Sequence, residues 1–315
     1  MSNTTQSQTT FTERGILERQ IFSTVTTVPC FVFLFLNGTL LYTLRRTAVF
    51  YETPRYILLF NLLFADTAQL VQSQLLYLIA ACRIRLAYPV CGVLSMLANL
   101  THDISPLTLV VMSVERYVAV CHPLRHAAII TVRNTGVAIG GVWLFSSLNV
   151  FTRVCLLLAF PFEDHQSLQM KEYCDKSNML LSSSARHYDR VYTYFLFISA
   201  GVTVTCSYIG VMVAARSAST DRASAQKARN TLLLHLLQLG LSLVSTVQTL
   251  FIFAISKALN RLFLVHVHIV VYVCIVIFPR CLSALIYGIR DQTLRPVLLY
   301  HLCCHLKLKT FPGQV

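Results

Sequence analysis

A charge pair stands at the end of a long apolar segment of this chain. Glu115 and Arg116 are followed by Tyr117, and a proline and further basic residues lead on to His126. Charged groups are costly beside hydrocarbon and usually mark a functional site. Such an arginine either reaches the lipid headgroups or acts as a permanent cation that donates to the carbonyl groups of a partner.

A second set of charges lies deeper in apolar sequence. Asp66 occupies the middle of one apolar segment, and Arg280 lies in the last one. Two opposite charges buried at similar depth are expected to pair, because a lone charge is too costly. We predict a buried polar network of Asn37, Asp66, Ser105 and Arg280, in which Arg280 bridges to Asp66. The alternative is that Arg280 faces a water-filled cavity.

A third set precedes the charge pair on the same segment by about three to four helical turns. It contains Asp103, and an acid inside an apolar segment is a candidate ligand-binding group. The alternative is a structural hydrogen bond between Asp103 and Tyr192 or Thr193. Polar side chains of the later segments complete the candidate ligand site, whose members are Asn99, His102, Asp103, Tyr192, Thr246, Thr249 and Tyr272.

The composition is that of a membrane protein. Of 315 residues, 55% are hydrophobic and only 12% are charged, whereas a soluble domain carries roughly 25% charged residues. The net charge of +13 is scattered singly between apolar runs, which favours lipid headgroups over nucleic acid as the partner. Neither a catalytic glycine-rich loop, nor a zinc-protease motif, nor a serine elbow is recognisable, so we expect no enzyme, metal or cofactor.

Seven segments are long enough to span a bilayer, since a membrane helix needs about 20 apolar residues. They cover residues 21–44, 54–82, 90–120, 134–159, 188–215, 231–256 and 262–287. We therefore predict an all-α membrane protein, a bundle of seven transmembrane helices. No inverted half-repeat of the transporter kind is recognisable.

The orientation is predicted with the N-terminus outside. Residues 1–20 are polar and carry a glycosylation sequon at Asn3. Basic residues are slightly more numerous on the inner side, with Arg153 counted on the outer side. The predicted division is an extracellular N-terminus at 1–20, a seven-helix domain at 21–288 and a cytoplasmic tail at 289–315, in the plasma membrane.

Residues 112–126, MSVERYVAVCHPLRH, resemble the signature of odorant receptors, which are class A (rhodopsin-like) G-protein-coupled receptors. In that signature Met-Ala-Tyr-Asp-Arg-Tyr-Val-Ala-Ile-Cys is followed by Pro-Leu. Three other segments match the same family: 53–56 with Asn61 and Asp66, the pair Ser207 and Tyr208, and 227–236. The resemblance covers most of the cytosolic half of the predicted bundle.

The resemblance implies a receptor that binds a small-molecule odorant and activates a heterotrimeric G protein of the olfactory, cyclic-AMP-raising type. The residues that it assigns to G-protein coupling are Glu115, Arg116, Tyr117, Tyr208, Lys227, Arg229 and Tyr287. It also implies a disulfide between Cys91 and Cys174, with two free thiols as the alternative. In class A receptors the position of Asp66 resembles a sodium site, and we expect Arg280 to replace that ion.

The chain departs from the family in two places. The seventh span usually ends Asn-Pro-x-x-Tyr, but here only Tyr287 is retained. The second outer loop has only Cys174, whereas odorant receptors of land vertebrates often carry extra cysteines there. These departures indicate a divergent branch of the fish type.

The tail after Tyr287 alternates apolar and basic residues, which predicts a short helix on the membrane surface. Pro296 limits that helix unless it falls in the first turn. Cys303 and Cys304 lie beside it and are candidates for palmitoylation.

Two other functions remain open at this point. A class A receptor for a peptide or lipid is expected to keep the tryptophan and proline of the sixth span, and 239–249 has neither. A membrane transporter is expected to show repeat symmetry or a polar stripe through several spans.

Overall fold

The structure is a computed structural model of the chain. It describes residues 2–159, 170, 174, 179–218, 233, 236–237, 240–245, 267, 270–280, 284, 286, 288 and 294–302. The helices in this part of the chain are α1 (Ser2–Arg46), α2 (Ala48–Tyr51), α3 (Pro54–Ala81), α4 (Tyr88–Cys121), α5 (Pro123–Ile129), α6 (Val132–Leu158), α7 (Ser183–Ala218) and α8 (Leu294–Leu302). A π-helical segment, Tyr272–Ile277, precedes α8.

Four helices of the described part are long and apolar enough to cross a membrane. They are Ser23–Arg46 within α1, α4, α6, and Ser183–Ala214 within α7. α3 matches the predicted span at 54–82 in position and length. The predicted span at 231–256 lies largely outside the described residues, which are helical at 240–245. Just over half of the predicted span at 262–287 is described, including the helical stretch at 270–280.

The surface of the bundle is apolar and part of its interior is polar. Phe35, Phe151 and Ile198 are more than half exposed, whereas Asp66 and Arg280 are each 1% exposed. A protein surrounded by water shows the opposite arrangement, with large apolar side chains buried and charged side chains exposed. The pattern therefore fits helices whose outer faces are in contact with lipid.

Proline and hydroxyl residues set several helix ends. Pro54 and Pro123 stand in the first turns of α3 and α5, where the missing N–H has no partner to lose. Thr131 caps α6, and its hydroxyl accepts the backbone N–H of Asn134 at 3.1 Å. Arg83 follows α3 with a φ of 57°, a left-handed conformation that turns the chain toward α4.

α4 lies at the centre of the described bundle and packs against α3, α6 and α7. α1 packs against α3 and against α8. Leu294 and Leu298 of α8 are buried in the same apolar cluster as Leu40 and Leu59, whereas Arg295 is exposed. α8 is thus a two-faced helix docked under the bundle. Pro296 is its third residue and so falls in the first turn, where it is tolerated.

The last span carries a wide turn. Tyr272–Ile277 is π-helical, and Pro279 follows two residues later. Proline has no N–H and clashes with the carbonyl group four residues before it, so a wider turn at that point gives its ring room. Arg280 comes directly after this proline and points into the interior.

Candidate functional site

The Glu115–Arg116 pair lies at the end of α4, as expected, and the structure shows how weakly it is held. Glu115 is buried, and its Oε2 lies 3.4 Å from Nε of Arg116. Nε and Nη2 of Arg116 are buried, and neither has a hydrogen-bond partner in the described part of the chain. Neighbouring helix residues face each other poorly. His126 Nε2 approaches the other Glu115 oxygen at 3.8 Å.

Tyr117 packs against α7 at a glycine that the sequence analysis missed. A Cβ atom on Gly210 would lie 2.5 Å from Cε2 of Tyr117, so a side chain at this position would force the ring or α7 to shift. The ring of Tyr117 also contacts that of His122 edge-on, with centroids 5.9 Å apart. In the sequence, only the position of Gly210, two residues after Tyr208, could have indicated this contact. Tyr208 itself lies partly buried on α7. Lys227, Arg229 and Tyr287 lie outside the described residues.

The interior network joins three helical segments through Asp66. Its Oδ1 accepts hydrogen bonds from Oγ of Ser105 at 2.7 Å and from Nη1 of Arg280 at 2.9 Å. All three residues are 1% exposed. The structure does not bring Asn37 into this network by hydrogen bonding, because neither amide atom has a partner among the described residues.

Asn61 forms a second interior junction. Its amide donates to Oγ1 of Thr108 at 2.8 Å, and its Oδ1 accepts the indole N–H of Trp143 at 2.9 Å. These two bonds connect α3 to α4 and to α6. Trp143 is the only tryptophan of the chain, and its indole N–H is satisfied by Asn61.

Asp103 belongs to a buried polar cluster between α4, α6 and α7. Its Oδ2 accepts hydrogen bonds from Nδ2 of Asn149 and from the hydroxyl of Tyr192, the latter at 3.0 Å. Asn149 Oδ1 in turn accepts from Tyr188 at 3.0 Å and from Nε of Arg153 at 3.3 Å. Asp103 therefore forms a structural hydrogen bond with Tyr192, which is the alternative that the sequence analysis set against a role in ligand binding. We call Asp103, Asn149, Arg153, Tyr188, Asp189 and Tyr192 the Asp103 cluster.

Arg153 corrects the predicted count of outer-loop charges. It lies inside α6, is 6% exposed, and its Nη1 is 2.7 Å from Oδ1 of Asp189. The contact is an ion pair without hydrogen-bond alignment. The guanidinium also lies over the rings of Tyr188 and Tyr192, 5.7 Å from each centroid. In the sequence, Asn149 and Arg153 lie four residues apart inside an apolar helix, and this spacing could have indicated that Arg153 is buried.

A pocket opens beside this cluster. Asn99, Arg153 and Tyr188 contribute to its lining, together with Ser95 and several leucine and methionine side chains. Asn99 is the one candidate ligand residue that lines this pocket. His102 is half-buried on α4 and engaged by a partner. Thr246, Thr249 and the side chain of Tyr272 lie outside the described residues.

The predicted disulfide is present and lies near the pocket. Cys91 and Cys174 are bonded, with their Cα atoms 5.6 Å apart. Both pack with Met170 and Met179 in one apolar cluster, and Met179 also lines the pocket. The bond thus ties the segment after α6 to the start of α4. The side chain of Asn3 and both Cys303 and Cys304 lie outside the described part of the chain.

Comparison with known proteins agrees with this geometry. The sequence profile of the 7 transmembrane receptor (rhodopsin family) matches residues 36–287. The chain belongs to this family, and it is a multi-pass membrane receptor, not an enzyme.

Among individual proteins, the long matches are to odorant and olfactory receptors. Odorant receptor 131-2 of Danio rerio is 30% identical over 283 residues, which is 87% of this chain and 83% of that protein. Olfactory receptor 1I1 of Homo sapiens is 26% identical over 78% of this chain and 69% of its own length. Galanin receptor type 3 of Homo sapiens is 48% identical over only 59 residues, 19% of this chain and 16% of that protein.

Proposed function

We infer that this receptor senses small odorant molecules and activates a heterotrimeric G protein of the olfactory, cyclic-AMP-raising type. The observation that carries this proposal is the 30% identity with a zebrafish odorant receptor over 87% of the chain. The short local match to a galanin receptor does not support a peptide ligand, because it covers only 19% of the chain.

Coupling is assigned to the cytosolic end of α4. Arg116 carries a permanent charge and has buried donors that no described residue binds. A buried donor without a partner is unfavourable, so carbonyl groups of an inserted partner helix would stabilise it. Glu115 restrains Arg116 in the resting state, and a ligand that favours the open bundle shifts the equilibrium toward the released arginine.

Asp66 and Arg280 support the transition from inside the bundle. Their ion pair links α3 to the last span, and Ser105 adds α4. A guanidinium bound to Asp66 occupies the position where related receptors are expected to hold sodium. Signalling is therefore proposed to be independent of sodium.

The N-terminus is proposed to lie outside the plasma membrane. The Cys91–Cys174 bond needs an oxidising compartment, and Cys91 opens the third span. The start of the third span and the N-terminus lie on the same side, since two spans separate them. Glycosylation of Asn3, palmitoylation of Cys303 and Cys304, and lipid contacts of α8 belong to the same proposal.

The test is cyclic-AMP measurement in cells that express the receptor, at rest and with a panel of small organic odorants. Arg116→Ala is expected to abolish both basal and evoked signals. Arg133→Ala is the matched control, because Arg133 is exposed at the start of α6 on the same side. A substrate flux without any cyclic-AMP signal would instead favour a transporter.

A further inference from the structure

We propose that His126 is a positioning residue of the coupling end, and that in its protonated form it replaces Arg116 as the counter-charge of Glu115. The proposal rests on the proposed coupling role of Arg116 and adds to it a dependence on cytosolic pH. Acidification then favours the release of Arg116 and raises the basal signal.

Glu115 faces two nitrogen-bearing side chains at once. Its Oε2 lies 3.4 Å from Nε of Arg116, and its Oε1 lies 3.8 Å from Nε2 of His126. The side chain of Glu115 is only 9% exposed. Each carboxylate oxygen thus has its own neighbour, one on α4 and one on α5. The charge of the arginine is permanent, whereas the charge of the histidine changes within the physiological pH range.

The ring of His126 approaches Glu115 without a hydrogen bond. Its Nε2 is buried and has no hydrogen-bond partner in the described part of the chain, although the side chain as a whole is 36% exposed. A buried ring nitrogen without a partner is unfavourable. When both ring nitrogens carry a proton, the approach of 3.8 Å becomes an ion pair, because Coulomb attraction acts at this distance without hydrogen-bond alignment.

Charge balance decides which state of the receptor the proton favours. In the resting arrangement Arg116 already compensates Glu115, so a second cation at His126 repels Arg116. Once Arg116 has moved to the carbonyl groups of a partner helix, Glu115 is left as a mostly buried carboxylate, and a lone charge of this kind is unfavourable. Protonated His126 then supplies the counter-charge from the other oxygen. A proton that binds the released state more tightly shifts the equilibrium toward that state.

The surroundings of His126 add little competing charge among the described residues. α5 packs against α4, whose charged residues at this end are Glu115 and Arg116. Arg125, the neighbour of His126 on α5, and Arg133 at the start of α6 are both exposed, so water and salt screen their charges. The charge on His126 therefore acts mainly on the contact between Glu115 and Arg116.

The experiment measures nucleotide exchange by a purified cyclic-AMP-raising G protein that is added to membranes containing the full-length receptor. No ligand is present, and the pH is varied between about 6 and about 8, where histidine changes its charge. Exchange with Arg116→Ala membranes at each pH is the background, which removes the pH dependence of the G protein itself. The receptor-dependent exchange should rise about two- to fivefold toward acid, the effect of a partly exposed ion pair. A flat profile, or a fall toward acid, would overturn the proposal.

Two substitutions of His126 should change the profile in opposite ways. His126→Gln gains no charge in acid and should give low exchange at every pH. His126→Arg carries a permanent cation and should give high exchange at every pH. A rise toward acid that persists in His126→Gln would assign the proton to another group, such as Glu115 itself, and would reject the role of His126.

His122→Gln is the matched control. His122 is exposed four residues before His126, and its ring contacts that of Tyr117 edge-on. This variant should keep the rise toward acid, and loss of the rise here but not in His126→Gln would contradict the assignment. Exchange that never exceeds the background would reject the coupling role of Arg116 and this proposal with it. Exchange of normal size with the same pH profile in His126→Gln as in the parent receptor would reject this proposal alone.

Discussion

Arg280 donates a hydrogen bond of 2.9 Å to Asp66, and both residues are only 1% exposed in a helix bundle. Each charge is tolerated there because the other one is present. Ser105 donates to the same carboxylate oxygen, and the contact thereby joins three helical segments. Burial of this kind makes the two residues interdependent, which leads to the first prediction.

Removing one partner of the pair should destabilise the receptor, and removing both should restore much of its stability. Asp66→Asn leaves Arg280 buried without its counter-charge, and breaking such a pair costs roughly 3–5 kcal/mol. Arg280→Gln should act similarly, whereas the double variant should recover. The stability of each variant is measured by thermal unfolding of the detergent-solubilised protein and by its expression at the cell surface. Equal loss in single and double variants would argue against the pair as the cause.

The same pair predicts the response to sodium. Because the guanidinium is bound to Asp66, ligand-evoked cyclic AMP should not change when sodium is replaced by choline in the medium. A sodium effect that disappears in Asp66→Asn would contradict the replacement of the ion by Arg280.

Glu115→Gln should raise the basal cyclic-AMP signal. Among the described residues, Glu115 is the one acid within ion-pair distance of Arg116, at 3.4 Å. The neutral amide loses the Coulomb attraction that restrains the arginine. Glu52→Gln is the control, because Glu52 is exposed beyond α2. An unchanged or lower basal signal in Glu115→Gln, at equal surface expression, would mean that Glu115 is not the restraint.

Gly210→Ala should perturb coupling through Tyr117. A methyl group at Gly210 meets the ring of Tyr117 at 2.5 Å, so the ring or α7 has to move. Gly201→Ala lies on the same helix with nothing within 4 Å of the added atom, and it should be neutral or slightly stabilising. Agonist-evoked cyclic AMP and thermal stability compare the two variants. Recovery in Gly210→Ala with Tyr117→Leu would identify the clash as the cause.

Loss of the disulfide should reduce both stability and ligand response. Cys91→Ser or Cys174→Ser removes the bond that holds Met179 at the pocket, at a cost of about 2–5 kcal/mol. Cys155→Ser is the control, because Cys155 is an exposed free cysteine. Equal potency of odorants on all three variants would contradict a role for the bond in forming the pocket.

Much of the architecture was predictable from the residues alone. Spans were located because lipid demands long apolar helices, and α1, α3, α4, α6 and α7 coincide with predicted spans. α1 begins at Ser2, well before the predicted start at 21, since an apolar pattern does not mark where a helix begins in polar sequence. The family and the disulfide followed from local motifs and are confirmed.

The tertiary structure decided which polar side chains meet. The charge rule anticipated that Asp66 and Arg280 lie together, because no other arrangement inside lipid is as favourable. It did not indicate that Asn37 has no hydrogen-bond partner among the described residues, that Arg153 is buried on Asp189, or that Tyr117 packs on Gly210. The rotation and crossing of the helices set these contacts. Sequence periodicity predicts whether a residue is buried. Which residue of another helix it contacts depends on the packing of the whole bundle.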